Sequence, residues 1–215
     1  NKYILLAART SMGKSTLAAH IMSNVIECNP EIGDPLYFST EASQDGVVRS
    51  TIGSRCGLHA KKIAKRSLND EERTKLWDAA NSENLKRHHV YYGPGKSIAQ
   101  LRAICKRHKA NYGLPLLIVD LAGKLSGPGF KENERLSYIS KSLFELKAEL
   151  DTCLIATVQI GRGVAMNVGK RPTLMDLKGS GSWEEDADRV LLVHWPGYYG
   201  GKDYRTEIIQ AKDRD

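Results

Sequence analysis

The sequence lacks the features of a membrane-spanning, zinc-binding or repetitive protein. No apolar run approaches the length needed to cross a bilayer and no signal peptide is visible, so we expect no membrane partner. The four cysteines lie far apart without a CxxC pair, which argues against a zinc site and fits reduced thiols in the cytoplasm. Because no repeat or low-complexity linker interrupts the chain, we predict one domain over residues 1–215.

Charge and the position of the first residue give two further expectations. Lys and Arg exceed Asp and Glu by 32 − 25 = 7, and this excess favours polyanionic partners. The densest basic run, residues 86–109, has the apolar spacing of an amphipathic helix in its second half, which favours a solvated helix face over a nucleic-acid patch. The chain begins at Asn1 directly before an apolar strand pattern, and we therefore expect a fragment of a longer protein.

The stretch "LLAARTSMGKST", residues 5–16, nearly matches the phosphate-binding pattern G-x-x-x-x-G-K-[ST], with Ala8 at the first glycine position. Gly13 lets backbone N–H groups approach an anion, Lys14 supplies a cation, and the Ser15 hydroxyl can ligate Mg²⁺. Alanine is tolerable at position 8 if the local φ is negative. The alternative interpretation of residues 5–16 is a lysine-rich turn. The predicted nucleotide-binding loop consists of Ala8, Arg9, Thr10, Ser11, Met12, Gly13, Lys14, Ser15 and Thr16.

Strand and helix patterns alternate along the rest of the chain. Short apolar strands such as "LLIVD" and "CLIATVQ" are separated by stretches with helical apolar spacing, and the tail from "DRVLLVHW" to "EIIQAKD" alternates like a hairpin. This order predicts an α/β fold with a mostly parallel central sheet flanked by helices and an antiparallel extension at the C-terminal end.

Polar side chains close three of the predicted strands. Asp120 ends "LLIVD", Glu41 follows "YFST", and Gln159 ends "IATVQ". Individually, each could be a surface residue at a strand exit. Ligands of open α/β sheets bind at the carboxyl ends of strands, so together with the P-loop these residues predict a hydrolytic site. In it Ser15 and Asp120 hold Mg²⁺, Glu41 orients or deprotonates water, and Gln159 senses the γ-phosphate.

Five segments, taken in order, resemble the RecA-like ATPase domain of DnaB-type replicative helicases of bacteria or phages. "AARTSMGKS" is similar to A-[AG]-R-P-S-M-G-K-[ST], a family pattern that also lacks the first glycine. "FSTEAS" resembles F-S-L-E-M-S and "TVQIGR" resembles S-Q-L-N-R. "KRPTLMDLKGSGSWEEDAD" resembles K-R-P-x-x-x-D-L-R-E-S-G-x-I-E-Q-D-A-D, and "AKDRD" resembles A-K-x-R-x-G.

The resemblance implies a RecA-like P-loop NTPase that forms a ring, usually a hexamer, around single-stranded DNA and moves on it with ATP. It also implies that Glu41 activates water, that Lys212 and Arg214 reach the neighbouring subunit's nucleotide, and that Arg49 contacts phosphate. A lysine and an arginine on one strand could equally be a solvated edge. A primase and a helicase loader are possible partners, and the cytoplasm of a bacterium or phage-infected host is the expected location. We expect the family's N-terminal domain and linker to lie outside this sequence.

Two glycine-rich stretches after the Asp120 and Gln159 strands suit tracking of a DNA backbone, because glycines expose N–H groups and cations displace counterions. The candidate DNA-binding residues are Lys124, Lys131, Arg162, Lys170, Arg171, Lys178, Gly179 and Gly181. Lys178 and Gly181 match the family's phosphate-contacting R-E-S-G segment, in which Gly179 replaces the glutamate.

Some positions depart from the family pattern, among them Thr10 in place of proline and Gly161 in place of asparagine. Two other functions remain open at this point. A RecA/RadA-type recombinase shares the fold and would catalyse strand exchange. A RecA-like regulatory or clock-type protein would bind nucleotide without acting as a motor.

Overall fold

A computed structural model of the chain describes residues 1–129, 131–161, 171–177, 180–199 and 205–214. The strands within these residues are β1 (Tyr3–Ala8), β2 (Leu36–Ser39), β3 (His89–Tyr92), β4 (Leu116–Asp120), β5 (Cys153–Gln159), β6 (Arg189–His194) and β7 (Glu207–Asp213). The α-helices are α1 (Lys14–Cys28), α2 (Gln44–Cys56), α3 (Ala60–Ala64), α4 (Asp70–Ala80), α5 (Glu83–Lys86), α6 (Ile98–Tyr112), α7 (Glu132–Leu150) and α8 (Ser180–Asp186).

The strands form one sheet in the order β3-β2-β4-β5-β1-β6-β7. All neighbouring pairs are parallel except β6 and β7, which are antiparallel, so the predicted α/β architecture with an antiparallel C-terminal extension is confirmed. The central strands β1 and β4 are apolar almost throughout because helices cover both faces of the sheet. None of the helices in the described part of the chain combines the length and apolar character that a membrane crossing requires.

Each face of the sheet has its own core. On one face, Leu101 of α6 and Leu143 of α7 pack with Leu5 of β1. On the other face, Met22 of α1 packs with Leu6, the next residue along the same strand. Because successive side chains of a strand point to opposite faces, this division also decides which polar side chains can meet beneath α1.

Strand register brings the carboxyl ends of the parallel strands to one edge of the sheet. Ala8 lies opposite Gln159, and Ser39 lies opposite Asp120. The P-loop, Glu41 and Gln159 therefore start from the same edge, as their positions after apolar strands predict.

The helix α6 begins and ends as its sequence predicts. Ser97 accepts a hydrogen bond from the Gln100 N–H at 3.3 Å, and the Gln100 side chain accepts one from the Ser97 N–H at 3.0 Å. This capping box starts the helix, and Gly113 with φ of 78° ends it. Its buried face consists of Ile98, Leu101, Cys105 and His108, whereas Lys106, Arg107 and Lys109 lie on the solvent side, as interpreted from the sequence.

Asp188, which directly precedes β6, contacts both β1 and α7 at the end of the sheet where the parallel strands begin. Its carboxylate accepts a hydrogen bond from the Tyr3 N–H at 2.6 Å and pairs with Lys147 of α7 at 3.1 Å. Burial alone would raise the pKa of Asp188, but the Tyr3 N–H and the Lys147 ammonium outweigh it and lower the pKa below its usual value.

We expect the Asp188→Asn variant to lose about 2 kcal/mol of folding free energy at neutral pH, because the hydrogen bonds to a charged acceptor weaken and Lys147 loses its partner. A carboxyl with a lowered folded-state pKa stabilises the fold above its unfolded pKa and loses this effect as the pH falls through the folded value. The difference from wild type should therefore shrink below about pH 4 in denaturant titrations. Asp213→Asn, which breaks an exposed pair with Arg189, should cost under about 1 kcal/mol. An Asp188→Asn deficit that is independent of pH would contradict this account.

Candidate active site

The segment between β1 and α1 has the backbone conformation of an anion-binding loop. Gly13 has a φ of 83° and a Cβ added there would meet nothing within 4 Å, so backbone conformation, not crowding, requires glycine. Ser11 also has a positive φ, 67°, and the Met12 N–H donates to the Arg9 carbonyl at 3.3 Å. The helix that starts at Lys14 has no side-chain cap, so its first N–H groups and the positive end of its dipole face the loop.

Ala8 occupies the last position of β1 and not the loop itself. It is fully buried, and its carbonyl accepts a hydrogen bond from the Ile160 N–H at 3.1 Å. Its φ is not positive, so the position does not need the glycine of the general pattern. The side chains of Ala8 and of Met12, which is 4% exposed, pack in the core and do not line the cavity.

One cavity lies over the loop and gathers residues from three of the predicted segments. Its lining consists of Arg9, Thr10, Ser11, Gly13, Lys14, Ser15, Thr16, Glu41, Leu121 and Gln159. The structure thus brings the predicted lysine, glutamate and glutamine together although they are far apart in sequence. Arg49 lies on α2 and is not part of this lining.

Lys14 is one of the two cationic side chains that line the cavity, together with Arg9. Burial lowers its pKa, and the carboxylates of Asp120 and Glu41 act in the opposite direction. A partly buried lysine has few waters to lose when an anion arrives, which suits a phosphate contact.

Asp120 lies directly beneath the cavity and is only 3% exposed. The Tyr37 hydroxyl donates to one carboxylate oxygen at 2.7 Å, and the Thr157 hydroxyl donates to the other. Burial and the nearby carboxylate raise the pKa of Tyr37 well above its usual value, so the phenol remains a donor. Sequence reasoning missed both hydroxyls, although each lies two residues before a strand end and hence on the same face as that end.

The oxygen atoms of the Asp120 carboxylate and the Ser15 hydroxyl are of the kind that Mg²⁺ prefers. Among the described residues no cluster of three or more His, Cys, Asp or Glu could hold an ion, so a cage made of protein groups alone is not found there. Mg²⁺ instead prefers one or two protein oxygens together with substrate phosphates and water. The Ser15 hydroxyl and the two further lone-pair sites of Asp120 would supply the protein's part.

Gln159 contacts the P-loop directly. Its side-chain amide donates to the Thr10 hydroxyl at 2.7 Å, so the hydroxyl at the position of the family's proline holds the predicted sensor against the loop. The contact joins two segments that are 149 residues apart in sequence.

The backbone before Glu41 is fixed by hydrogen bonds, whereas its side chain is exposed. The Thr40 hydroxyl donates to the Leu121 carbonyl at 3.0 Å and accepts from the Leu121 N–H at 2.9 Å. The Ser39 hydroxyl donates to the Ala42 carbonyl at 2.6 Å. The Glu41 carboxylate itself lies 4.0 Å from the Lys124 ammonium at the cavity rim, where it can meet water.

The sequence model of the DnaB-like helicase C terminal domain matches residues 1–215, and the fold and the order of the motifs agree with it. This chain belongs to the DnaB-like helicase C-terminal domain family. It is 33% identical over 219 residues to the replicative DNA helicase DnaB of Geobacillus stearothermophilus, covering 99% of this chain and 48% of that protein. The chain spans about half the length of the curated relatives it matches.

Two solved structures with 27% identity cover the whole chain. The first, described as an ATPase domain, has a TM-score of 0.87 over 78% of its own length. The second, a DnaB-like replicative helicase described with its interactions with primase, has a TM-score of 0.88 over 52% of its length. The resemblance stated from the motifs is confirmed, and membership of the DnaB-like family excludes the recombinase and clock-type alternatives as family assignments.

In this DnaB-like domain, the segment after Asp120 is less open than its glycines suggest. Residues Ala122–Lys124 form a short 3₁₀ helix, and Leu125 is fully buried. The Arg135 guanidinium of α7 donates to the carbonyls of Gly123 and Leu125 at 2.9 and 2.8 Å. This arginine, which sequence reasoning missed, anchors the first part of the stretch.

The predicted DNA-binding residues fall into two groups. Arg162, Lys170, Lys178 and Gly179 lie outside the described residues. Of the others, Lys124 lies near Glu41, Lys131 precedes α7, and Gly181 is exposed in α8. Arg171 makes two hydrogen bonds to the Glu207 carboxylate, at 2.6 and 2.7 Å, so a DNA phosphate would have to compete with this pair.

Lys212 and Arg214 lie at the end of the sheet where the parallel strands begin, and the P-loop lies at the other end. The Arg214 N–H donates to the Asp188 carbonyl, and the Asp188 N–H donates to the Tyr3 carbonyl, so Arg214 is level with the start of β1. The P-loop begins after Ala8, about 16 Å further along that strand at 3.3 Å per residue. Within one chain, therefore, Arg214 cannot reach its own loop.

The side chains of these two residues cap α8 within the same chain. The Lys212 ammonium donates to the Glu184 carbonyl and, at 2.8 Å, to the Ala187 carbonyl. The exposed Arg214 makes one longer bond, at 3.2 Å, to the Glu185 carbonyl. Cations are favourable at the carboxyl end of a helix, so Lys212 has a structural role in addition to any role at an interface.

Proposed function

We propose that this chain is the ATP-hydrolysing motor domain of a replicative DNA helicase that moves on single-stranded DNA as a ring, usually a hexamer. The observation that supports this most is the convergence of the P-loop, Glu41 and Gln159 on one cavity above the buried Asp120, in a domain of the DnaB-like family.

The residues of the cavity divide the chemistry among them. The loop N–H groups and Lys14 bind the phosphates of ATP, and the Gln159 amide turns from Thr10 toward the γ-phosphate. Glu41 orients water and accepts its proton at the carboxylate oxygen. Ser15 and Asp120 hold Mg²⁺, which neutralises charge on the phosphates when bound.

A neighbouring subunit completes the site. Because Arg214 lies at the edge of the sheet opposite its own P-loop, a head-to-tail arrangement of subunits is needed to bring it to a nucleotide. Such heterologous contacts close into rings when the rotation permits, which agrees with the proposed hexamer.

The proposed partners follow from charge and from the family. The excess of seven positive charges favours single-stranded DNA, which would be bound without regard to base sequence. A solved relative is described with primase, and we propose primase and a helicase loader as partners here. We place the protein in the cytoplasm of a bacterium or phage-infected host.

The decisive experiment measures ATP hydrolysis by the full-length protein with and without single-stranded DNA, together with its assembly state by sizing. A motor should hydrolyse ATP faster when DNA is added and should do so as a ring. Hydrolysis that does not respond to DNA would favour a regulatory nucleotide-binding protein, and no hydrolysis by an assembled ring would refute the proposal.

Lys178 gives a specific prediction for DNA binding. The Lys178→Ala ring should bind single-stranded DNA more weakly for every base sequence, and the slope of log affinity against log salt should fall by about one counterion. Lys61→Ala on α3, which removes an exposed lysine elsewhere, is the matched control. If Lys178→Ala and Lys61→Ala behave alike in filter-binding titrations over a salt series, Lys178 does not contact the DNA.

A further inference from the structure

Tyr37 is a buried phenol next to one carboxylate of the proposed Mg²⁺ site. It is fully buried in β2, and its hydroxyl donates to the Asp120 carboxylate at 2.7 Å. The phenol thus connects β2 to the carboxylate that ends β4.

Sheet geometry explains why the hydroxyl is there. Tyr37 lies two residues before Ser39, which is paired with Asp120, so the two side chains project from the same face of the sheet. That face is covered by α1, and Tyr37 packs in the same core as Met22 of that helix. The ring fills apolar space, and the hydroxyl is the part of the side chain that meets a polar group, the Asp120 carboxylate.

The two hydroxyl groups on Asp120 fix its orientation. Tyr37 donates to one oxygen and Thr157, fully buried on β5, donates to the other. An ionised carboxylate has about four lone-pair positions, so two remain for a metal ion or its waters. Hydrogen-bond partners of this kind orient metal ligands and set their affinity, although they do not touch the metal.

We propose that Tyr37 is a positioning residue that sets Asp120 in the geometry that Mg²⁺–nucleotide requires. This inference rests on the proposed nucleotide site. Without the hydroxyl, one Asp120 oxygen is free to rotate or to attract Lys14 more closely. The ring of a phenylalanine would still fill the core.

The test compares Tyr37→Phe with Tyr3→Phe in a titration of Mg²⁺ against binding of a fluorescent ATP analogue. Tyr3 is equally buried but belongs to the core on the opposite face of the sheet, so the control removes one buried hydroxyl far from the site. Both variants are first checked by thermal unfolding. We expect Tyr37→Phe to raise the Mg²⁺ concentration for half-maximal binding about tenfold. Binding in EDTA should stay unchanged, because the loop N–H groups and Lys14 remain.

Thr157→Val provides a second variant, since it frees the other oxygen of Asp120 and should shift the Mg²⁺ titration in the same direction. A titration of Tyr37→Phe that coincides with Tyr3→Phe, or that shifts to lower Mg²⁺, would overturn the inference. If the wild-type chain binds nucleotide without any dependence on Mg²⁺, the positioning role is wrong while the nucleotide site stands. If the wild-type chain binds no nucleotide, the proposed function itself is wrong.

Discussion

Mixed rings of Arg214→Ala and Lys14→Ala chains should regain ATP hydrolysis that neither variant has alone. Loss of an arginine that stabilises the transferring phosphoryl group lowers the rate by about 10³ to 10⁵. Loss of Lys14 removes the cation on the phosphates and weakens nucleotide binding. In a mixture, some interfaces join the intact P-loop of an Arg214→Ala chain to the intact arginine of a Lys14→Ala chain.

The size of the recovery follows from the arrangement of the subunits. In a random equal mixture of head-to-tail rings, about one interface in four has both intact parts, so hydrolysis should reach at most about a quarter of the wild-type rate. The measurement is steady-state phosphate release, with mixed rings confirmed by native mass spectrometry. The isolated Arg214→Ala chain should still bind ATP, since Arg214 lies far from its own P-loop.

Arg214 is a better probe than Lys212 for this experiment. Lys212 donates to two backbone carbonyls at the end of α8, so its removal would also disturb that helix, whereas Arg214 is exposed and makes one longer bond there. Arg189→Ala, which breaks an exposed ion pair with Asp213 at the same edge of the sheet, is the matched control and should hydrolyse ATP normally. Confirmed mixed rings that are no more active than the two variants separately would show that Arg214 does not act across the interface.

Glu41→Gln should bind ATP as tightly as wild type and hydrolyse it about 10² to 10⁴ times more slowly. The amide keeps the size of the side chain but cannot accept the proton of the attacking water. The backbone at this position should not move, because Thr40 is held by two hydrogen bonds to Leu121. The contrast with Lys14→Ala, which should bind ATP weakly, separates loss of chemistry from loss of binding.

Single-turnover hydrolysis and equilibrium binding of ATP measure the two effects independently. Asp45→Asn, which neutralises an exposed carboxylate at the start of α2, is the matched control and should retain the wild-type rate. Near-normal turnover by Glu41→Gln would remove Glu41 from its assigned role. Another carboxylate would then have to accept the proton, and Asp120 is the other carboxylate whose charge acts on Lys14.

The site could be predicted from the sequence as far as it depends on strand ends. Gly13 and Lys14 lie in a local motif, and Glu41, Asp120 and Gln159 each follow an apolar strand, so the rule that parallel strands meet at their carboxyl ends was sufficient. The contacts within the site could not be predicted in this way. The Tyr37 and Thr157 hydroxyls reach Asp120 across 83 and 37 residues of chain. Their position two residues before a strand end indicates the face of the sheet but not the partner.

The DNA-binding candidates show what the sequence leaves open. Lys124 and Arg171 are candidates because they lie in glycine-rich stretches after the Asp120 and Gln159 strands, and the structure adds that Arg171 pairs with Glu207 and that Lys124 lies near Glu41. Opposite charges far apart in sequence meet only after the sheet has formed, so the sequence alone does not show which cations are already paired. Contact of these residues with DNA stays a prediction.

By itself, the sequence determined the order of strands and helices, the anion-binding loop, the helix caps and the family. These depend on short-range patterns of apolar spacing, on glycine and capping residues, and on motif order. Only the tertiary structure decided which hydroxyls hold Asp120, which arginine anchors the segment after it, and that Arg214 lies at the edge of the sheet away from its own P-loop. The physical reason is strand pairing: a register shift of one residue would turn Tyr37 or Thr157 to the other face of the sheet. Which strands become neighbours, and so which hydroxyl meets which carboxylate, depends on contacts between segments that are far apart in sequence.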